Sequence, residues 1–184
     1  VDELLDECQY RVFATDMLAS GLEHKERADM LVKYVDALLE LYPSCKAVVF
    51  GPSRKFLSRE TIENHPDKEV TRFIYYAVNV RYFSIQGTDD MMVDTLGMSI
   101  LFYPDVQYHF HGMNPDEIVN HAYSVLYYIF EHDNPIDDGQ TIAGLENGDM
   151  NPDIKWAVQY EDSLIQPVRA VIDINMGEYA SGTR

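Results

Sequence analysis

Three strand patterns follow one another in the middle of the chain, with only short turns between them. Strand patterns cover residues 78–86, 91–102 and 106–110. The turns, at residues 87–90 and 103–105, are rich in glycine, aspartate and proline. Short turns join antiparallel strands, whereas parallel strands need long crossovers, so this part of the chain is predicted to form an antiparallel sheet.

Helix patterns flank these strands. Residues 24–42 carry apolar side chains at spacings of three and four, namely Ala28, Leu31, Val35, Leu38 and Tyr42. Asn114-Pro115 is a strong helix start, because asparagine caps the first turn and proline suits the first helical position, and this helix is predicted to reach about residue 131. Shorter helices are predicted from Ser58, which should act as the helix cap, and over residues 67–76.

Further strands are predicted at residues 10–18, 47–50, 154–160 and 168–174, of which the apolar one at 47–50 should be buried. A loop or irregular hairpin is predicted over 136–152. The order β-α-β-α-β-β-α-β-β predicts an α+β fold with helices packed on a largely antiparallel sheet. The alternative is a doubly wound α/β fold, but residues 51–58 lack the glycine pattern of a nucleotide-binding loop.

Length and hydrophobic content predict one domain. A chain of 184 residues with 46% hydrophobic residues is long enough to bury a sizeable core. We expect a single domain over residues 1–184 with a flexible tail at 177–184. We also expect a segment ahead of Val1, because the chain does not start with methionine.

The charge balance bears on partners. A formal net charge of −17 repels phosphate backbones and anionic lipid, which argues against nucleic acid and membrane partners and favours a basic protein partner. Two cysteines, Cys8 and Cys45, are too few for a disulfide framework and indicate a cytoplasmic protein. No cofactor motif occurs, and the oligomeric state is left open.

A polar stripe in the third strand pattern is the first candidate site. Asp105, Gln107, His109 and His111 alternate with apolar residues and share one face of a strand. Such a face could hold a metal ion, with Asp105 and His109 as catalytic residues and Gln107 as a ligand-binding residue. The alternative is hydrogen bonding at a sheet edge.

Asp94, Asp138, Gly139 and Arg169 complete the set of candidates. Asp94 interrupts an apolar strand, so it is either a catalytic carboxylate or a structural residue that caps a turn at 95–97 or pairs with Arg81 or Arg169. Asp138-Gly139 is typical of a turn, and it could also act as a lid over a small-ligand site.

Four motifs and one tryptophan carry a family resemblance. They are DTLG at 94–97, PDVQYHF at 104–110, DGQTI at 138–142, Trp156 and PVRAVID at 167–173. Together they resemble a microbial domain-of-unknown-function family, number 4261, over residues 10–175. His111 lies outside the family pattern, which argues against a two-histidine metal site. The resemblance implies no activity.

Two function classes follow. The first is a non-enzymatic interaction or regulatory domain, of the immunity type, because the chain is small and acidic and lacks a catalytic motif. The second is a metal-dependent hydrolase that uses the Asp and His residues above.

Overall fold

The computed structural model describes residues 6–16, 19–66 and 69–182. The chain divides into two compact units, Val1–Ala77 and Val78–Arg184. The single domain expected from the length stays a prediction.

From residue 19 onward, the described part of the N-terminal unit combines three α-helices with a two-stranded hairpin. Its elements are α1 (His24–Leu41), β1 (Ala47–Phe50), β2 (Lys55–Ser58), α2 (Arg59–Glu63) and α3 (Arg72–Ala77). Helix α1 packs on α3 and buries Ala28, Val32, Val35 and Leu39. The buried stripe is thus turned slightly from the predicted one, because Leu31 and Leu38 are only half-buried and Tyr42 is exposed.

Some predictions for this unit are wrong. The predicted strand at 10–18 does not form over residues 10–16, where Tyr10 and Phe13 are almost fully exposed and no strand pairs with the segment; residues 17 and 18 lie outside the described residues. β1 is not fully buried, since β2 is its only pairing strand among the described residues and Val49 is 58% exposed. Ser58 caps α2 as predicted by accepting a hydrogen bond from the Thr61 backbone, but β2 before it was not predicted.

The C-terminal unit is a six-stranded sheet with one long helix. Its elements are β3 (Asn79–Ser84), β4 (Met91–Leu96), β5 (Asp105–Phe110), α4 (Pro115–Glu131), β6 (Thr141–Glu146), β7 (Asp149–Asp162) and β8 (Ala170–Asn175). The strand order is β3-β4-β5-β8-β7-β6, and every neighbouring pair is antiparallel except β5 and β8. The predicted α+β fold with a largely antiparallel sheet is therefore confirmed.

Helix α4 covers one face of the sheet and leaves the other face to polar side chains. It begins as predicted, with the Asn114 side chain accepting from the Asp116 backbone, and it packs on β3, β4 and β5. Because side chains alternate along a strand, Val106, Tyr108 and Phe110 face the helix while the residues between them face away. Candidate residues on β5 therefore share the face opposite α4.

Strand β4 ends six residues before the predicted end of its strand pattern. The chain turns at Gly97, whose φ of 141° suits glycine, and Met98–Leu101 form a 3₁₀ turn. The turn is bonded to the start of the next strand, because the Asp105 carboxylate accepts hydrogen bonds from the backbone N–H groups of Gly97 and Met98. The apolar pattern at residues 91–102 carries no information about the Asp105 carboxylate.

The predicted loop or irregular hairpin at 136–152 contains β6, a tight turn at Asn147-Gly148 and the start of β7. The hairpin alternative is thus the correct one, and a register shift after Ala143 makes it irregular. Among the described residues, no helix combines the length and the hydropathy needed to cross a membrane.

Candidate functional site

Two arginines bind one buried carboxylate on strand β4, next to the edge strand β3. Asp94 on β4 is fully buried, and Arg81 on β3 donates to both of its oxygens, with Nε 2.8 Å from Oδ1. Arg169, just before β8, donates from Nη2 to Oδ2 at 2.6 Å. The predicted ion pair of Asp94 is confirmed, and it forms with both arginines instead of one.

Asp105 opens β5 and accepts hydrogen bonds from three directions. Arg169 Nε lies 3.1 Å from Oδ2, the Thr95 hydroxyl lies 2.9 Å from Oδ1, and the two backbone N–H groups of the 3₁₀ turn complete the set. Burial raises the pKa of the Asp105 carboxyl, and the Arg169 charge and these donors only partly oppose that rise. We name Arg81, Asp94, Asp105 and Arg169 the ion-pair network.

Gln107 forms a second polar cluster beside the ion-pair network. It is fully buried on β5, and its amide Nε2 donates to Glu161 Oε1 at 2.7 Å and to Asp173 Oδ1 at 3.0 Å. One amide group thus lies between two carboxylates of the neighbouring strands β7 and β8. We name Gln107, Glu161 and Asp173 the carboxylate–amide cluster.

Both clusters hold the segment between β7 and β8, which we name the anchored loop (residues 163–169). Arg169 Nη1 donates to the carbonyls of Ile165 and Pro167, at 3.1 and 2.9 Å, and Arg81 Nη1 donates to the Gln166 carbonyl at 3.1 Å. The Gln107 side-chain oxygen accepts from the Leu164 backbone at 3.0 Å. The loop is therefore bonded to side chains of β3 and β5, in addition to the strands β7 and β8 that it joins.

Ser163 closes the anchored loop on itself. Its hydroxyl lies 3.0 Å from the Ile165 carbonyl and 3.1 Å from the Pro167 carbonyl, and it accepts from the Arg169 backbone at 3.2 Å. The Ser163 backbone also donates to the Arg169 carbonyl at 2.9 Å. The loop thus has its ends fixed to each other as well as to the sheet.

This chemistry favours a structural role for the two aspartates. A general base needs an oxygen that reaches a substrate proton, whereas the oxygens of Asp94 and Asp105 are buried against arginine, hydroxyl and backbone donors. The structure brings Asp94, Asp105 and Arg169 together, with Gln107 adjacent. Their predicted catalytic and ligand-binding roles stay predictions, and the geometry supports the ion-pair alternative.

His109 lies apart from the ion-pair network, farther along β5. Its Nε2 is 3.8 Å from Asp90 Oδ2, and the Ser181 hydroxyl donates to Asp90 Oδ1 at 2.8 Å. His111 Nδ1 in turn lies 3.1 Å from the Ser181 hydroxyl. The backbone of residues 179–181 also pairs with the end of β5. The flexibility expected for residues 177–184 stays a prediction.

Asp138 and Gly139 form the predicted turn. Gly139 has a positive φ of 78°, and Asp138 Oδ1 accepts from the Tyr160 backbone at 2.7 Å. An open groove of about 320 Å³ lies beside the turn, lined also by Val158, Gln159 and Asn175. Within the described part of the chain, no hydrogen bond or ion pair joins Asp138 to the ion-pair network.

The metal-dependent hydrolase lacks support. Within residues 6–16, 19–66 and 69–182, no three His, Cys, Asp or Glu side chains are grouped so that they could hold a metal ion. His109 and Asp105 stand on one strand face, as predicted, but they belong to different clusters.

Sequence reasoning missed Thr95, Ser163, Glu161 and Asp173 as members of the site. Asp173 carried a usable signal, because it is an acid within an apolar strand, the same feature that singled out Asp94. Thr95 and Glu161 carried none, since the partners that define their roles lie 10 and 54 residues away along the chain. Ser163 bonds to residues two to six positions away within its own loop, and no local pattern singled it out.

His121 connects α4 to the sheet within the same unit. Its Nε2 lies 2.8 Å from the Ala143 carbonyl, so this nitrogen carries the proton, and Nδ1 accepts from the Tyr108 hydroxyl at 2.8 Å. The ring also packs against Trp156, with 4.9 Å between the ring centroids. Burial lowers the pKa of His121 below its ordinary value of 6.5.

We expect His121 to make folding stability depend on pH. A depressed folded-state pKa means that the unfolded chain binds the proton first, so this stability is fully present above pH 6.5 and is lost as the pH falls toward the folded-state pKa. His121→Gln removes that titration while the other histidines keep theirs. The difference in unfolding free energy between wild type and variant should therefore shrink on acidification, by up to about 1.4 kcal/mol per pH unit. A difference that stays constant between about pH 7.5 and 5 would contradict it.

The comparisons with known proteins bear on the C-terminal unit. No curated protein and no solved structure matches the chain significantly. One family model does match, and its match begins at Asp94 and ends at Asn175, so it covers the ion-pair network except Arg81, together with the whole carboxylate–amide cluster and the anchored loop. Residues 94–175 match the family described as Domain of unknown function (DUF4261), which confirms the family resemblance over this segment.

Proposed function

We propose that this protein is a non-enzymatic, cytoplasmic protein-interaction domain and that the anchored loop is its binding element. One observation carries the proposal. Leu164 and Val168 are 57% and 60% exposed although the loop that bears them is bonded to buried side chains. Exposed apolar side chains on a loop that is already ordered lose little conformational entropy on binding.

The charge around the loop indicates the chemistry of the partner. Glu161 and Asp162 directly precede the loop, and the arginines that hold it are neutralised by Asp94 and Asp105. With a formal net charge of −17 on the whole chain, a basic partner is steered toward this surface. The partner should present an apolar pocket surrounded by lysine or arginine. The cysteine content supports a cytoplasmic setting, since two cysteines are too few for a disulfide framework.

A double variant tests the loop. We expect Leu164→Asp/Val168→Asp to weaken binding of the partner recovered from native lysate by at least about thirtyfold, the effect of losing one hot-spot side chain. Both side chains are exposed, so the variant should fold like the wild type. Binding would be measured by titration of the purified partner at low and at high salt.

A matched control adds the same two charges elsewhere. Tyr128 and Met150 are 48% and 49% exposed outside the loop, so Tyr128→Asp/Met150→Asp should leave binding unchanged. The proposal fails if no stoichiometric partner is recovered at low salt, if the partner is acidic, or if the two double variants bind equally well.

A further inference from the structure

The anchored loop has a neighbour at the same end of the sheet, the connection between β4 and β5. We name residues 97–104 the β4–β5 connection. Strands β5 and β8 run parallel and pair Asp105 with Val171, so the segments that lead into them reach the sheet at the same end. Arg169 joins the two segments, because it donates to the Thr95 carbonyl just before the connection and to the Asp105 carboxylate just after it. The β4–β5 connection and the anchored loop are therefore adjacent.

Phe102 is the unusual residue of the β4–β5 connection. It ends the 3₁₀ turn, with its backbone N–H donating to the Met98 and Ser99 carbonyls, and its φ of 61° lies in the left-handed region. This position at the end of a helical turn suits glycine, which has no Cβ to crowd the neighbouring carbonyl. A phenylalanine with this backbone conformation lowers folding stability.

Burial of the Phe102 side chain offsets little of this loss of stability. Phe102 is 62% exposed, whereas Leu101 and Tyr103 on either side of it are 0% and 6% exposed. The apolar area that Phe102 removes from water on folding is therefore small. Stability alone would favour glycine or asparagine at this position. A strained residue whose side chain is exposed points to a role in binding.

The charges of the C-terminal unit are mostly negative. Residues 78–184 contain seventeen Asp and Glu against four Lys and Arg, and two of these four, Arg81 and Arg169, are bonded to a buried carboxylate. Asp133 lies beside the β4–β5 connection, since its carboxylate accepts a hydrogen bond from the Tyr103 hydroxyl at 3.0 Å. A positively charged partner is therefore attracted to this surface. A guanidinium group is also attracted to the face of a phenyl ring.

We propose that Phe102 is a third anchor of the binding surface, beside Leu164 and Val168, and that its ring enters a pocket of a basic partner. The pocket is wide enough for a phenyl ring and has arginine or lysine at its rim. This inference rests on the proposed function, because it takes the anchored loop as the binding element. It adds the β4–β5 connection to that element and specifies an aromatic-sized pocket in the partner.

Phe102→Gly in the full chain tests this role, because stability and binding should change in opposite directions. Glycine adopts a positive φ without strain, so the urea midpoint of unfolding should rise, whereas a purely structural ring would make it fall. The dissociation constant of the partner should increase at least about thirtyfold, because an anchoring ring is lost. The probe is the basic protein purified in the loop experiment, titrated at the same low and high salt as the Leu164→Asp/Val168→Asp variant.

Phe13→Gly is the matched control for the loss of an exposed ring. Phe13 is 89% exposed and its φ lies outside the left-handed region, so the same substitution should raise neither the urea midpoint nor the dissociation constant. If Phe13→Gly weakens binding as much as Phe102→Gly does, the inference is overturned.

Three further results would also overturn the inference. They are a lower urea midpoint for Phe102→Gly, partner binding by that variant within about threefold of wild type, and a wild-type dimer in sedimentation analysis that Phe102→Gly dissociates. In the second case the proposed function still holds if the Leu164→Asp/Val168→Asp variant loses binding. If no partner is recovered from lysate, both proposals fail.

Discussion

Arg169→Met should cost about 3–5 kcal/mol of unfolding free energy, because it leaves two buried carboxylates without their shared cation. Asp94 and Asp105 are 0% and 1% exposed, and Arg169 bonds to both at 2.6 and 3.1 Å. Methionine fills much of the volume of arginine. The loss of unfolding free energy therefore measures the missing charge and hydrogen bonds more than a packing defect. Urea denaturation followed by circular dichroism measures it.

The same variant should loosen the anchored loop. Arg169 also donates to the carbonyls of Ile165 and Pro167, and hydrogen exchange of residues 163–169 should accelerate more than exchange in α4. Lys33→Met is the matched control, because it removes a cation from the exposed pair with Asp29 and should cost about 0.5 kcal/mol or less. If Arg169→Met costs no more than this control, the ion-pair network does not hold the loop.

The fold class was predictable because its elements are locally encoded. Asn114 and Pro115 start α4 with their own side chains, and the hydrogen bond of Asn114 spans only two residues. Ser58 caps α2 across three residues in the same way. Such interactions lie inside the window that a sequence pattern samples, so the pattern and the structure agree.

Elements that depend on distant partners were less predictable. The segment at residues 10–16 alternates like a strand, but no strand in the described part of the chain pairs with it. The pattern at residues 91–102 continues apolar past Leu96, whereas Asp105 turns the chain by binding Gly97 and Met98. Alternation records which side chains suit a strand, and it carries no information about whether a partner strand or a competing acceptor is present.

The ion-pair network brings together family motifs that lie far apart along the chain. DTLG supplies Asp94 and two donors to Asp105, which belongs to PDVQYHF, while PVRAVID supplies Arg169. Motifs separated by about ten and about seventy residues thus meet in one place. The candidate residues could be predicted because an acid within an apolar strand must be paired. Their structural role could not, because it depends on the anchored loop, which lies far away along the chain.

Among substitutions by residues of similar size in the carboxylate–amide cluster, Gln107→Glu should cost the most folding stability. The Gln107 amide now donates to Glu161 and Asp173 at 2.7 and 3.0 Å, and the variant would place a third carboxylate in the same buried position. Two like charges about 4 Å apart repel by about 4 kcal/mol at the effective dielectric constant of protein interiors. We therefore expect a loss of at least about 4 kcal/mol at pH 7, measured by urea denaturation.

Acidification should reverse much of this loss, which separates charge repulsion from misfit. Repulsion and burial raise the folded-state pKa of the new carboxyl above its unfolded value, so the folded protein keeps a proton that the unfolded chain releases, and stability falls as the pH rises between the two pKa values. The protonated carboxyl again has a donor for one neighbouring carboxylate. Gln107→Met adds no charge, and although it leaves Glu161 and Asp173 without the amide donor, its loss of stability should vary less with pH than that of Gln107→Glu. Gln86→Glu adds a charge at an exposed turn and should cost little at any pH. If Gln107→Glu instead loses equal stability at pH 5 and pH 7, repulsion within the cluster is not the cause.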